Sequence, residues 1–431
     1  MLAPLAQKAA TRGDRGDSTL PSSLTWLDYS EADRRRALEV VDLFRETGTV
    51  DEMGVGSIRD SFSDLFFPGT STIQTRACYF LLLPWLFLRM ERLRIPSSQA
   101  AVWARNEEIN LNKKLLEGED TAGVFGSEAG RSLKRLPSAV YWGGLGSWGI
   151  RLYPGFGDAY FRSLDGFYRR LDALRGMPSD PEGRRSPPSN WHPHLPEPPD
   201  HFPYRNVSTE LRREDAAYLC DRIRARHPGS LLAVLVSRVD DYDLEAVWPW
   251  DLANREGFPP LLREQLRHAR LFAITLHGAA LLYNLMLAEL RRDEKLLEGY
   301  RADLAAWAAD VDPLREEVEP WRLDAIWAVA RDQGRPLGFP TRTFVVRWIE
   351  GLRANGPRAV VSESSAARQL IRERETQLKR GRARLASARH LELWGGASGT
   401  DRMNYRWPGT RVILKDILNG LRRTGDDARD A

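Results

Sequence analysis

Nine of the chain's 26 prolines fall between Pro178 and Pro203. Each fixes its own φ and removes a backbone donor, so no helix or sheet strand can run through this stretch. The spacing predicts an extended linker over residues 177–207 and divides a chain of 431 residues into parts that must each build regular structure. At 42% apolar content those parts have enough material to bury cores.

Outside the linker the dominant pattern is helical, and the predicted fold class is mainly α, a multi-domain helical protein. Residues 1–23 read as a disordered lead-in. An N-terminal helical domain is expected over 24–176, a central one over 208–360, a basic helix with an aromatic and Gly-rich tail over 361–421, and a disordered end over 422–431. Ser30 opens a capping-box-like turn before Ala37, Val40, Val41 and Phe44, which recur at helical spacing. A helix over Ile58–Phe66 is followed by the Phe67-Pro68-Gly69-Thr70 turn. Thr70 or Ser71 is then expected to cap a helix through Arg94 that Pro84 kinks. That arrangement admits a helix-turn-helix-like element with Arg76 near the start of its second helix, the alternative being a capped helix whose polar end is simply solvated. Further helices are expected at Gln99–Leu116, from a Thr209 cap through Arg226, at Leu261–Val311 with one or two breaks and Gly278 as a weak point, and near Trp321–Asp332, Thr343–Arg353 and Ser364–His390. Leu231–Val236 reads as strand or buried helix. Leu271–Leu287 approaches the length of a membrane span, but His277, Gly278 and Asn284 interrupt it, and it reads as a buried core helix.

Several chemistries find no support. Cys78 and Cys220 have no partner at metal spacing, which suits a reducing cytoplasm. No GxxxxGK[ST], HExxH or GxSxG motif occurs. Gly144-Leu145-Gly146-Ser147-Trp148-Gly149 has dinucleotide-loop spacing, yet Pro154 follows closely, so it reads as a Gly-rich turn. His192, His194 and His201 sit in the linker, expected to be docked by Trp191 and Phe202 rather than gathered on a metal. Neither metal nor cofactor is expected.

Charge is informative only locally, since 63 basic residues face 59 acidic ones overall. A helix over Arg368–Arg389 would carry eight basic residues against Glu373 and Glu375, a local +6, with Ile371, Leu378 and Leu385 forming an inward seam. A second zone, Arg131 to Arg170, holds seven basic residues against Asp158 and Asp165, interleaved with aromatics that mostly read as core. From these zones the candidate nucleic-acid contacts are Arg76, Arg131, Lys134, Arg135, Arg151, Arg372, Lys379, Arg380, Arg382 and Arg384. Asp240, Asp241, Asp243 and Glu245 form the densest acidic cluster, which reads as a solvated loop or helix N-terminus, with magnesium binding as the sharper alternative.

Several segments resemble a bacterial family catalogued as a domain of unknown function, number 6361. They include Trp26–Ser30, Gly56–Asp60, Leu65–Arg76 with Tyr79-Phe80-Leu81, Tyr141-Trp142, Trp191-His192-Pro193, Gly278–Asn284 and Tyr405-Arg406-Trp407. The resemblance covers residues 24–421. It implies company with helicase-like and nuclease-like genes in bacterial defence loci, and no catalytic residue. The combined expectation is a cytoplasmic, non-catalytic subunit of an anti-phage assembly that binds DNA or RNA and has no membrane partner. The alternatives are an interaction scaffold that does not bind nucleic acid, and a metal-dependent nuclease built on the acidic cluster.

Overall fold

The computed structural model describes residues 51–126, 135–175, 188–238, 244–360 and 366–423. The expected lead-in, the Ser30 helix start, Arg131, Lys134, Asp240, Asp241, Asp243 and residues 424–431 lie outside the described residues. Within them the protein is mainly α, as the apolar periodicity predicts. No strand forms among them, and the one isolated antiparallel bridge joins Arg151 to Trp191.

Helix α1 is Gly56–Phe66. The Asp51 carboxylate starts it by accepting from the Val55 and Gly56 amides at 2.7 and 2.8 Å. Helix α2 is Tyr79–Arg92 and runs through Pro84. The helix start expected at Thr70 or Ser71 is therefore corrected to Tyr79, and twelve residues separate α1 from α2. The reason lies 340 residues away. Asp416 Oδ2 accepts from the Ala77 amide at 2.8 Å and from Arg76 Nε at 3.0 Å, placing its charge at the start of α2. The intervening loop is pinned from another side. Tyr141 Oη accepts from the Thr75 and Arg76 amides and donates to the Arg76 carbonyl, while Trp148 Nε1 donates to the Pro68 carbonyl. A helix-turn-helix geometry is not confirmed.

Helices α3 (Ser97–Leu115), α4 (Pro137–Ser147) and α5 (Gly157–Arg175) follow. Gly144 and Gly146 lie inside α4, so the expected Gly-rich turn is corrected to a helix. Gly144 lets α4 approach the loop, where an added Cβ would come 2.4 Å from the Gly69 carbonyl oxygen. The Pro-rich stretch is docked as expected. Trp191 is buried against Phe87, and its indole donates to Glu91 Oε1, which Tyr160 and Asn190 also reach. Phe202 packs edge-on to Trp85, whose indole donates to the Pro196 carbonyl.

Helix α6 is Arg213–Arg226, with Arg212 and not Thr209 at its N-cap, where Asp215 accepts from the Arg212 amide. Leu231–Ser237 is helix α7, capped by Ser230, which resolves the strand-or-helix ambiguity. Helix α8, Pro260–Arg291, ends where Arg292 takes a left-handed conformation. Asp293 then caps α9, Glu294–Val311. This is the break expected within 261–311. Gly278 is not a weak point in α8 but a position where α9 packs close against it. A Cβ there would lie 2.2 Å from the Trp307 ring, whose indole donates to the Ile274 carbonyl at 2.8 Å. By length and composition α8 could cross a bilayer, yet 83% of its most apolar window is buried by the protein itself, as expected for a core helix.

The remaining helices are α10 (Arg315–Val318), α11 (Asp324–Asp332), α12 (Phe339–Val360, interrupted at Gly356-Pro357), α13 (Ala366–Lys379), α14 (Ala388–Glu392) and α15 (Trp407–Arg422). Buried apolar side chains from Met53 to Leu418, Trp191 included, form one continuous cluster. Residues 47–431 form one compact unit.

Two substitutions test this packing. Helix propensity alone would make Gly278→Ala stabilising by up to about 1 kcal/mol. The Trp307 contact instead predicts a loss of about 3 kcal/mol by urea unfolding, and a stabilised variant would refute it. Glu108, fully buried on α3, caps α4 by accepting from the Ser138 amide at 2.9 Å, while its other oxygen has no partner. Burial raises its pKa from 4.5 to about 7. The unfolded state ionises first as pH rises, so stability falls across the window from pH 4.5 to 7. Glu108→Gln should abolish that fall, leaving the variant roughly 2–3 kcal/mol ahead at pH 8 relative to its standing at pH 5. Parallel pH profiles for the two proteins would count against a buried ionisation at this site.

Candidate nucleic-acid interface

The predicted basic helix is shorter than its charge pattern suggested. Helix α13 stops at Lys379, and a single 3-10 turn, Arg380–Arg382, follows, with Arg380 left-handed. The correction has a local cause in Glu375, which is fully buried. Its two carboxylate oxygens accept from the Arg384 and Leu385 amides at 2.9 and 3.0 Å, folding the chain back on the helix. A carboxylate bonded to two successive amides holds a turn as a cap holds a helix end.

This reversal sorts the basic residues into two groups. Arg368 is buried and makes a two-pronged ion pair with Glu289 at 2.6 and 2.9 Å. Arg374 is buried and donates to the Met53 and Gly54 carbonyls and to Thr341 Oγ1. Lys379 reaches Glu52, Glu375 and the Tyr283 hydroxyl. Arg384 pairs with Glu52 at 2.8 Å, beside Ser398. Burial pushes the Glu52 pKa up, but hydrogen bonds from Lys379 and Ser398 and the charges of Lys379 and Arg384 outweigh it and hold the carboxyl below its ordinary value. Lys379 and Arg384 thus neutralise an internal carboxylate. The second group is Arg372, Arg380, Arg382 and Arg389. All four are exposed, and none has an acidic partner among the described residues.

The other candidate contacts are mostly committed inside the protein. Arg76 is buried between Asp416 at 3.0 Å and Asp120 at 2.7 Å, at the base of a cavity of about 630 Å³ that Gln74, Gly409 and Lys415 also line. The two carboxylates leave it little net charge for a phosphate. Arg151 is half-buried, lies 4.7 Å over the Trp142 ring and donates to the carbonyls of Trp142, Tyr153 and Gly155. Burial lowers its pKa. Arg135 is half-buried. Tyr141, Trp142, Trp148 and Tyr160 are core, as expected, and offer no stacking platform.

The acidic cluster contributes one described residue, Glu245, which pairs with Lys415. Among the described residues no three His, Cys, Asp or Glu side chains are placed to hold a metal ion. His192 instead contacts Arg222 at 2.8 Å. Both cysteines are free and buried, and burial raises both thiols, Cys220 to about 12.

Arg255, Arg263, Arg267 and Arg270 are missing from the sequence-based candidates, although the structure gathers them around one cavity. The signal was present, since positions 263, 267 and 270 share a helix face. It was masked by Glu256 and Glu264, which keep the local charge modest.

No curated protein and no solved structure matches the chain. A model of the family of unknown function DUF6361 matches residues 21–419. With nearly the whole chain inside that match, including the loop before α2, the turn after α13 and most of the Trp407 helix, the protein belongs to the DUF6361 family.

Proposed function

We propose that the protein is a non-catalytic subunit that binds nucleic acid through the arginines displayed around the turn after α13. The observation that carries this reading is the contrast within one short segment. Lys379 and Arg384 neutralise the buried Glu52, while Arg380 and Arg382 between them stay exposed, with no acidic partner among the described residues. A guanidinium held on an anchored backbone presents a planar fork to phosphate oxygens at a lower ordering cost than one on a mobile tail. Arg372 and Arg389 extend the positive surface. The company of helicase-like and nuclease-like genes that the resemblance implies extends this reading to a place in a bacterial anti-phage assembly, with DNA or RNA as the nucleic acid and a cytoplasmic location.

The test is a titration of single- and double-stranded DNA and RNA at two salt concentrations. Binding should weaken steeply with salt. Arg380→Glu with Arg382→Glu should reduce affinity at least tenfold and lower the salt slope by about two, with the melting temperature unchanged. Arg384→Glu should behave differently, because it leaves Glu52 facing a like charge inside the protein. It should cost about 3 kcal/mol in urea unfolding. Absence of binding at low salt, or binding indifferent to the double variant, overturns the assignment and favours an acidic protein surface as the partner of this turn.

A further inference from the structure

Helix α8 begins with a stripe of cations. Arg263, Arg267 and Arg270 stand at i, i+4 and i+7, on one face beside Leu266. The 3-10 turn Arg255–Gly257 just before the helix brings Arg255 to the same place. Together with Trp250 they enclose a cavity of about 240 Å³ whose one acidic lining residue is Glu256.

Hydrogen-bond capacity around this cavity is only partly used. Arg267 is held by Glu264 in a two-pronged pair at 3.0 and 2.7 Å. Arg270 Nη2 pairs with Glu317. Arg255 donates to the Trp250 carbonyl at 2.9 Å and lies 3.9 Å from Glu256. Two groups are left without a protein acceptor among the described residues. Arg270 Nε is buried with no acceptor, and Arg263 is exposed with no ion pair among the described residues. A buried guanidinium N–H left without a partner is destabilising, and an oxyanion in reach would satisfy it. Arginine clusters suit phosphate because each fork can give two parallel N–H···O bonds. The volume is below the roughly 300 Å³ at which small-molecule pockets begin, so it fits a phosphate group and not a whole nucleotide.

We propose that this cavity binds a phosphate group, supplied either as the free ion or as the terminal phosphate of a nucleic-acid strand. It is separate from the turn after α13. That turn is anchored near Tyr283, twenty residues along α8 from Arg263 and so roughly 30 Å away at 1.5 Å per residue.

Calorimetric titration of the full chain with inorganic phosphate, at constant ionic strength set by chloride, tests the site. Saturable binding is expected, with Arg263→Gln weakening it at least tenfold while leaving the melting temperature in chloride unchanged. Arg270→Gln should also weaken it, and Arg380→Glu with Arg382→Glu should leave it intact, which separates this site from the proposed nucleic-acid turn. A 5′-phosphorylated oligonucleotide compared with its 5′-hydroxyl twin distinguishes the source. Tighter binding of the phosphorylated strand, lost in Arg263→Gln, assigns the strand end, whereas equal binding of the two strands alongside saturable inorganic phosphate assigns the free ion. No saturable binding of either probe, or binding untouched by both Arg263→Gln and Arg270→Gln, overturns the proposal.

Discussion

Buried carboxylates that accept backbone amides from outside their own helix hold this protein in its shape. Glu375 closes the turn after α13, Asp416 of α15 starts α2, and Glu108 of α3 caps α4. An ionised carboxylate removed from water is costly unless its lone pairs are met. The backbone donors left over at helix starts and turns meet both oxygens of Glu375, but only one oxygen each of Asp416 and Glu108 takes a backbone amide, and burial raises the pKa of both. Each such bond ties the end of one element to the body of another, so the helices are positioned by their termini as well as by their apolar faces. Glu52 extends the arrangement. It lies just before α1 and draws in Lys379, Arg384 and Ser398, joining the first described residues to the C-terminal third of the chain.

This internal electrostatics changes what the basic character of the chain means. A run of eight cations against two anions suggests a wholly positive helix, yet half of those cations are spent on Glu52, Glu289 and backbone carbonyls. The remaining arginines are fewer but fixed on a shaped turn. Arg76 and Arg151 follow the same logic in the N-terminal half, one between two aspartates and the other over a tryptophan among carbonyls. Arginine is suited to both duties because its charge persists through burial and its fork satisfies several acceptors at once. Local sums of charge therefore overstate the interface and miss the cavity at the start of α8, where acidic neighbours balance the count without occupying every donor.

Much of the fold was legible in the residues. Apolar spacing marked most helices, and Trp191 and Phe202 announced that the proline-rich stretch would be docked. The errors share one origin. The loop before α2 reads locally as a turn and a capped helix, because Thr70 and Ser71 are good caps. Asp416 and Tyr141 instead take the amides of residues 75–77 and delay the helix to Tyr79. Gly278 reads as a helix weak point because glycine has poor propensity, whereas the Trp307 ring needs the missing Cβ.

The sequence by itself determined the secondary-structure class, the burial of α8 and the family to which the chain belongs. All three follow from side-chain periodicity, composition and contiguous motifs, which are local properties. Only the tertiary structure decided where α2 begins, where the basic helix ends, and which arginines face outward. The start of α2 and the inward arginines depend on hydrogen bonds between residues dozens to hundreds of positions apart, and the basic helix ends where burial lets Glu375 claim amides nine and ten residues on; no local pattern records which carboxylate will claim a given amide or guanidinium.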